Sequence, residues 1–178
     1  MPGLCYRHDM TLISIEGLAQ SLAGDGRCMG LDLGSKTIGV ALSDLRRSIA
    51  TPDRTIQRKK FQADADKLLA TIAEHNVVAI VLGLPLNMDG SEGPRCQSTR
   101  AFAANLGKRN PLPIVLWDER LSTVAVERVL IDADRSRARR KDLVDKMAAA
   151  YILQGALDRL SGLNAAASAL PTPPVPHT

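Results

Sequence analysis

The pattern of apolar and polar positions switches repeatedly between the period of a strand and that of a helix. Two apolar runs lie between Gly30 and Asp44, the second from Ile38 to Leu42, with Gly34 between them. They predict a strand, a tight turn and an antiparallel return strand. Residues 48–56 read as a third short strand, which Pro52 confines to a sheet edge or breaks. Phe61, Ala65, Leu68, Leu69 and Ile72 recur at helical spacing, predicting a helix over 61–75 that Asn76 ends. Residues 77–82 are continuously apolar, the mark of a strand covered on both faces. A Gly- and Pro-rich loop over 83–94 leads into a helix over 95–108 with Phe102, Ala103 and Leu106 inward, and Pro111 and Pro113 end it. Residues 114–117 form another buried strand. A helix capped by Ser122 or Thr123 then runs to about Ile131, and a last helix covers about 141–160. Helices feeding apolar strands point to α/β architecture. Residues 1–27 read as a leader with a short amphipathic helix between Met10 and Leu22. Residues 161–178 read as an Ala- and Pro-rich tail, expected to be disordered.

Composition narrows the functional classes. The 178 residues suit one domain with a full core. Aromatics at 3% argue against base stacking as a main binding mode. A net charge of +4 fits a polyanionic partner. Cys5, Cys28 and Cys96 lie far apart without metal-type spacing and read as free thiols in a reducing cytoplasm. No apolar run approaches the roughly 18 residues needed to span a membrane, and the N-terminus lacks the pattern of a signal peptide.

Three acidic positions carry the candidate chemistry. Asp32 sits inside an apolar run and points to the face opposite Leu31 and Leu33. Burying a carboxylate there is costly unless something cationic meets it; the plainer reading is an edge-strand acid facing water. Asp118 and Glu119 end a buried strand. Asp145 shares an apolar helical stripe with Ala148, Ala149, Ile152 and Ala156, although Asp142 and Asp145 are also first-turn acids that the helix dipole favours. Three converging carboxylates suit two divalent ions, and oxygen-only ligands favour Mg²⁺ or Mn²⁺. Ser91 and exposed N–H groups of the 83–94 loop offer contacts to phosphate or ribose, since such loops commonly carry sites in α/β folds. Arg135, Arg137, Arg139, Arg140 and Lys141 make the strongest positive cluster, flexible by composition. Arg54, Arg58, Lys59 and Lys60, taken alone, read as a solvated patch.

The stretches GLDLGSKTIGVALSD, VLGLPLNMDGSEGPR, WDERLST and VDKMAAAYILQ, in that order over roughly residues 28–160, resemble the YqgF/RuvX family. The resemblance implies an RNase H-like fold, a five-stranded mixed sheet with helices on both faces. It implies a bacterial cytoplasmic nuclease proposed to process the end of pre-16S rRNA, related to Holliday junction resolvases. Its catalytic, metal-holding acids fall on Asp32, Glu119 and Asp145, with Asp118 and Asp142 as additional candidates. Lys36, Arg120, Asn87, Ser91 and the basic segment from Arg135 to Lys141 would meet nucleic acid. The partner is thus pre-rRNA or branched DNA. A homodimer would suit cutting two strands of branched DNA, and a monomer RNA trimming. Two other readings stand beside this one. The Asp32 to Gly39 stretch also resembles the first phosphate loop of the actin and sugar-kinase fold, but that fold needs two such domains. A ribosome-assembly or recombination factor that keeps the fold without turnover is the other.

Overall fold

The computed structural model describes residues 11–121 and 137–169, without the side chains of residues 121 and 137–143. Five strands form one sheet: β1 (Arg27–Leu33), β2 (Thr37–Ser43), β3 (Ala50–Gln57), β4 (Val77–Leu84) and β5 (Ile114–Asp118). Their order is β3-β2-β1-β4-β5. Short turns join β1 to β2 and β2 to β3, so these pairs are antiparallel. Helices α2 (Phe61–His75) and α3 (Pro94–Gly107) are the crossovers that make β1–β4 and β4–β5 parallel. The mixed sheet is the one the resemblance implied.

Alternation along the strands sorts side chains onto two faces. Met29, Leu31 and Leu33 pack with Leu68 of α2 and with Phe102 and Leu106 of α3. The rings of Phe61 and Phe102 meet edge to face at 5.5 Å and tie the two helices together. On the other face Cys28, Ala41, Ala79, Val81 and Val115 pack against Ala149, Ile152, Leu153 and Ala156 of α4 (Arg137–Ser168). Helix α1 (Ile15–Ser21) adds Leu18 to this second layer.

Several boundaries differ from the sequence reading. α1 begins five residues later than Met10, because Ser14 caps it by accepting the Gly17 N–H at 3.0 Å. The residues before it lie along β5: the Ile13 N–H donates to the Ile114 carbonyl at 3.0 Å, and the Ile114 N–H donates to the Thr11 carbonyl at 2.5 Å. Residues 11–22, read as leader, thus join the fold. α4 runs on to Ser168, so residues 161–168, read as disordered tail, are helical. Their alanines favour helix. The backbone of residues 137–141, read as flexible, is helical as well. Pro52 lies next to a register shift on the edge strand β3, where its missing N–H breaks no inner ladder. The helix expected to end near Ile131, its caps Ser122 and Thr123, Cys5 and residues 170–178 lie outside the described residues. No described helix is long and apolar enough to cross a membrane.

Candidate active site

Asp32 lies next to the last residue of β1, on the face covered by α4. Two glycines flank it in the sheet. Gly39 is its direct partner on β2. On β4, Leu82 pairs with Leu31, which puts Gly83 next along. A Cβ at Gly39 would collide with the backbone carbonyl of Asp145. Only glycine lets α4 approach β2 this closely, and that approach delivers Asp145 to the neighbourhood of Asp32. Thr37, two residues before Gly39 and on the same face, donates its hydroxyl to Asp145 Oδ2 at 2.6 Å. Gly39→Ala is therefore expected to lose about 1–3 kcal/mol of stability, as overpacked sites do, and to displace Asp145. Denaturant midpoints check this. A wild-type midpoint would show that α4 yields without strain.

Glu119 opens a short 3-10 turn (Glu119–Leu121) directly after β5. A Cβ at Gly83 would stand 2.6 Å from Glu119 Oε1 and 2.6 Å from Ile152 Cδ1. The missing side chain on β4 is the space through which Glu119 folds back toward Asp32. Asp32 of β1 is thus approached at Gly39 by Asp145 of α4 and at Gly83 by Glu119 after β5.

Their electrostatics report the same convergence. Burial, then the charge of Asp145, pushes the Asp32 carboxyl up to about 6, against a pull from Arg95. Burial, then Asp32, pushes Glu119 up to about 7, again opposed by Arg95, with a smaller push from Asp118. Arg95 lies in the first turn of α3, where the helix dipole disfavours a cation. Proximity to two acids accounts for its presence there. Arg95→Gln is expected to raise both carboxyls further, so that any activity needing them ionised falls more at pH 6 than at pH 8. Arg95→Lys should keep most of the wild-type pH profile. Superimposable profiles for Gln and wild type would remove Arg95 from the site.

Other candidates stand apart from this centre. Asp118 turns to Arg120, whose Nη2 donates to it at 2.6 Å and whose Nε donates at 3.0 Å. Arg120 holds Asp118 below the usual carboxylate range. The same guanidinium donates to the Met88 carbonyl at 3.4 Å, tying the loop after β4 to the 3-10 turn. Asn87 and Ser91 are engaged with each other: Asn87 Nδ2 donates to Ser91 Oγ at 2.9 Å, and that hydroxyl donates to Asp89 at 2.6 Å. A phosphate contact there must displace these bonds and approach the charge of Asp89. Lys36 is exposed in the β1–β2 turn. Arg135 and the side chains of Arg137, Arg139, Arg140, Lys141 and Asp142 lie outside the described residues.

The RuvX family, described as Holliday junction resolvase, matches residues 26–159. The chain belongs to the RuvX family. RuvX relatives align along nearly their whole length. A protein of Rhodobacter capsulatus named "Putative pre-16S rRNA nuclease" is 61% identical, covering 85% of this chain and 96% of the relative. One of the same name from Paramagnetospirillum magneticum is 60% identical, covering 86% and 99%. The crystal structure of the yeast mitochondrial Holliday junction resolvase superposes with a TM-score of 0.50 at 15% identity, covering 85% of this chain and 86% of that one. The RuvX chain and that resolvase share the RNase H-like fold.

The donor set in this RuvX protein suits a hard cation. It consists of carboxylate oxygens, and on Asp32 and Glu119 burial and neighbouring charge push the group toward neutrality, a burden that a divalent ion relieves. Among the described residues no three acidic, histidine or cysteine side chains close into a ready-made cage. Asp32 is instead common to two interacting pairs, one with Glu119 and one with Asp145. Two participants escaped the sequence reading. Thr37 looked like an ordinary β-branched strand residue. Arg95 had one usable signal, a cation in the first turn of a helix that follows a site-bearing loop.

Proposed function

We propose that this protein is a divalent-metal-dependent nuclease that hydrolyses phosphodiester bonds of structured nucleic acid, with the end of pre-16S rRNA as its substrate. The observation that carries the reading is the interaction of Asp32 with Asp145, at Gly39, and with Glu119, at Gly83. Relatives at about 60% identity carry the pre-16S rRNA nuclease name and support the RNA substrate. The family description supports a second reading, a branched-DNA endonuclease.

Asp32, Glu119 and Asp145 would hold the metal, Mg²⁺ or Mn²⁺. Bound there, a divalent ion supplies an acidified water and offsets charge on the phosphate oxygens. Asp32, half-buried at the end of the central strand β1, would set where the phosphate sits. Glu119, half-buried after β5, would complete the metal-holding set from the side opposite Asp145. Thr37 keeps Asp145 from swinging away. The segment from Arg135 to Lys141 precedes Asp145 in the chain and is assigned to backbone phosphates. Asp142 would act through Asp145, one turn on. Cys28 and Cys96 are free thiols, which supports a cytoplasmic location.

The test is cleavage of a labelled precursor rRNA fragment and of a labelled four-way DNA junction, each with Mn²⁺ and with chelator. Metal-dependent cutting of the RNA supports the reading, and cutting of the junction alone moves it to the second. Salt-sensitive binding with no cutting of either replaces the nuclease by an assembly factor. The stoichiometry of the bound complex separates a homodimer from a monomer.

A further inference from the structure

We propose that Lys36, Arg58, Lys59 and Lys60 form a phosphate-contacting ridge that seats the nucleic acid beside the acidic centre. The inference rests on the nuclease reading above and adds a binding surface to it. Taken from the sequence alone, residues 54–60 read as a solvated patch. Placement in the fold changes that.

Lys36 immediately precedes Thr37, the residue whose hydroxyl holds Asp145. Thr37 pairs with Gln57, the last residue of β3, and Arg58, Lys59 and Lys60 follow it. Both segments therefore leave the sheet at the end where Asp32 lies. Strand β3 is two strand spacings from β1, about 10 Å, so the ridge lies within a few nucleotides' reach of the acids.

The ridge is held by backbone bonds. The Arg58 N–H donates to the Lys36 carbonyl at 2.9 Å, and Arg58 Nη1 donates to the Gly34 carbonyl at 2.7 Å. The Lys59 N–H donates to Asp64 Oδ1 at 3.0 Å, and the Asp64 side chain belongs to a residue only 1% exposed. The Asp64 N–H returns to the Lys60 carbonyl at 3.2 Å. Anchored main chain beneath three exposed ammonium groups lowers the ordering cost of binding a polyanion.

The charges are also uncompensated. Arg54, Arg100, Arg109 and Arg120 each meet a carboxylate, on Asp53, Glu92, Asp66 and Asp118. Among the described residues the side chains of Lys36, Lys59 and Lys60 enter no ion pair. A phosphate backbone offers the negative charge that they lack, and release of its counterions drives binding.

The test compares two triple variants of equal charge in an Asp32→Asn background, where binding is read without turnover. One is Lys36→Gln, Lys59→Gln, Lys60→Gln. The control is Arg46→Gln, Lys67→Gln, Lys108→Gln, with charges removed from the β2–β3 turn, the middle of α2 and the far end of α3. Each is titrated with the RNA fragment and with the four-way junction across a salt series. At about 0.9 per phosphate contact, the ridge variant should flatten the slope of log affinity against log salt by about 2 to 3. Its affinity should fall about 10- to 100-fold at low salt, with an unchanged melting temperature. In the Asp32 protein the same three changes should raise KM and leave kcat near wild type. Slopes that fall equally in both triples, or in neither, overturn the ridge and leave the nuclease reading intact. A parent protein that binds neither probe overturns both.

Discussion

Replacing Asp32 by Asn is expected to lower cleavage roughly a thousandfold or more, and at the same time to make the metal-free protein harder to unfold. Both effects come from one placement. Asp32 lies on the α4 face of a central strand, between glycines, with Asp145 and Glu119 as neighbours. It is the acid common to both interacting pairs, so its loss would remove the central metal-holding group, and electrostatic stabilisation of this type is commonly the largest part of a rate enhancement. The stability effect has a definite sign. Burial and Asp145 raise the folded-state pKa of Asp32 to about 6, whereas in the unfolded chain the group ionises near 4. The folded protein holds the proton more tightly. Its stability is therefore greatest below the unfolded pKa and falls as pH rises through about 6. At pH 8 the ionised side chain destabilises the fold by an amount on the order of 3 kcal/mol, and a neutral amide removes that burden. Because the amide must itself find a hydrogen-bond partner, the expected gain is about 1–3 kcal/mol. Urea midpoints at pH 8 in chelator, with wild type beside the variant, measure it. Wild-type stability together with wild-type cleavage would remove Asp32 from the site.

The same opposition between function and stability explains which parts of the site were legible in the sequence. Asp32 and Glu119 stood out because each breaks a local rule: one is an acid within an apolar strand run, the other an acid at the end of a buried strand. The five strands and two crossover helices followed from period and from punctuation by glycine and proline. Thr37 breaks no rule, since β-branched residues are favoured in strands, and its bond to Asp145 crosses between elements far apart in the chain. Gly39 and Gly83 were visible as glycines, but what they make room for depends on where α4 lies, which no local pattern encodes. For Asn87 and Ser91 the sequence did not show the bonds that they make within the loop. Side chains of this kind bond readily to their own loop, and here they do so. The ends of α1 and α4 shifted because a cap at Ser14 and an alanine-rich run outweighed the expected breaks.

Stabilisation by Mg²⁺ or Mn²⁺ is expected to be nearly absent at pH 5 and to grow steeply up to about pH 7. A carboxylate must lose its proton before it can take a divalent ion. The two raised groups, Asp32 at about 6 and Glu119 at about 7, both carry protons at pH 5. Below about pH 6 the ion displaces two protons, and its apparent affinity should rise about a hundredfold per pH unit. Between about 6 and 7 one proton remains and the rise should be about tenfold per unit; above that it should level off. The metal-free protein changes in the opposite sense over the same range, because its fold binds more protons than the unfolded chain and so weakens as these acids ionise. The difference in melting temperature with and without metal therefore widens as pH rises, through this one loss of protons. Glu119→Gln should remove the upper step and keep the lower one, whereas Asp118→Asn, at a residue already committed to Arg120, should keep both. Calorimetric titration of the metal at half-unit pH intervals reads the slopes directly, and the protons released can be counted by repeating it in buffers of different ionisation enthalpy. An affinity that stays flat from pH 5 to 8 would mean that the buried acids do not take the ion, and the proposed nuclease centre would then have to be placed elsewhere on the molecule.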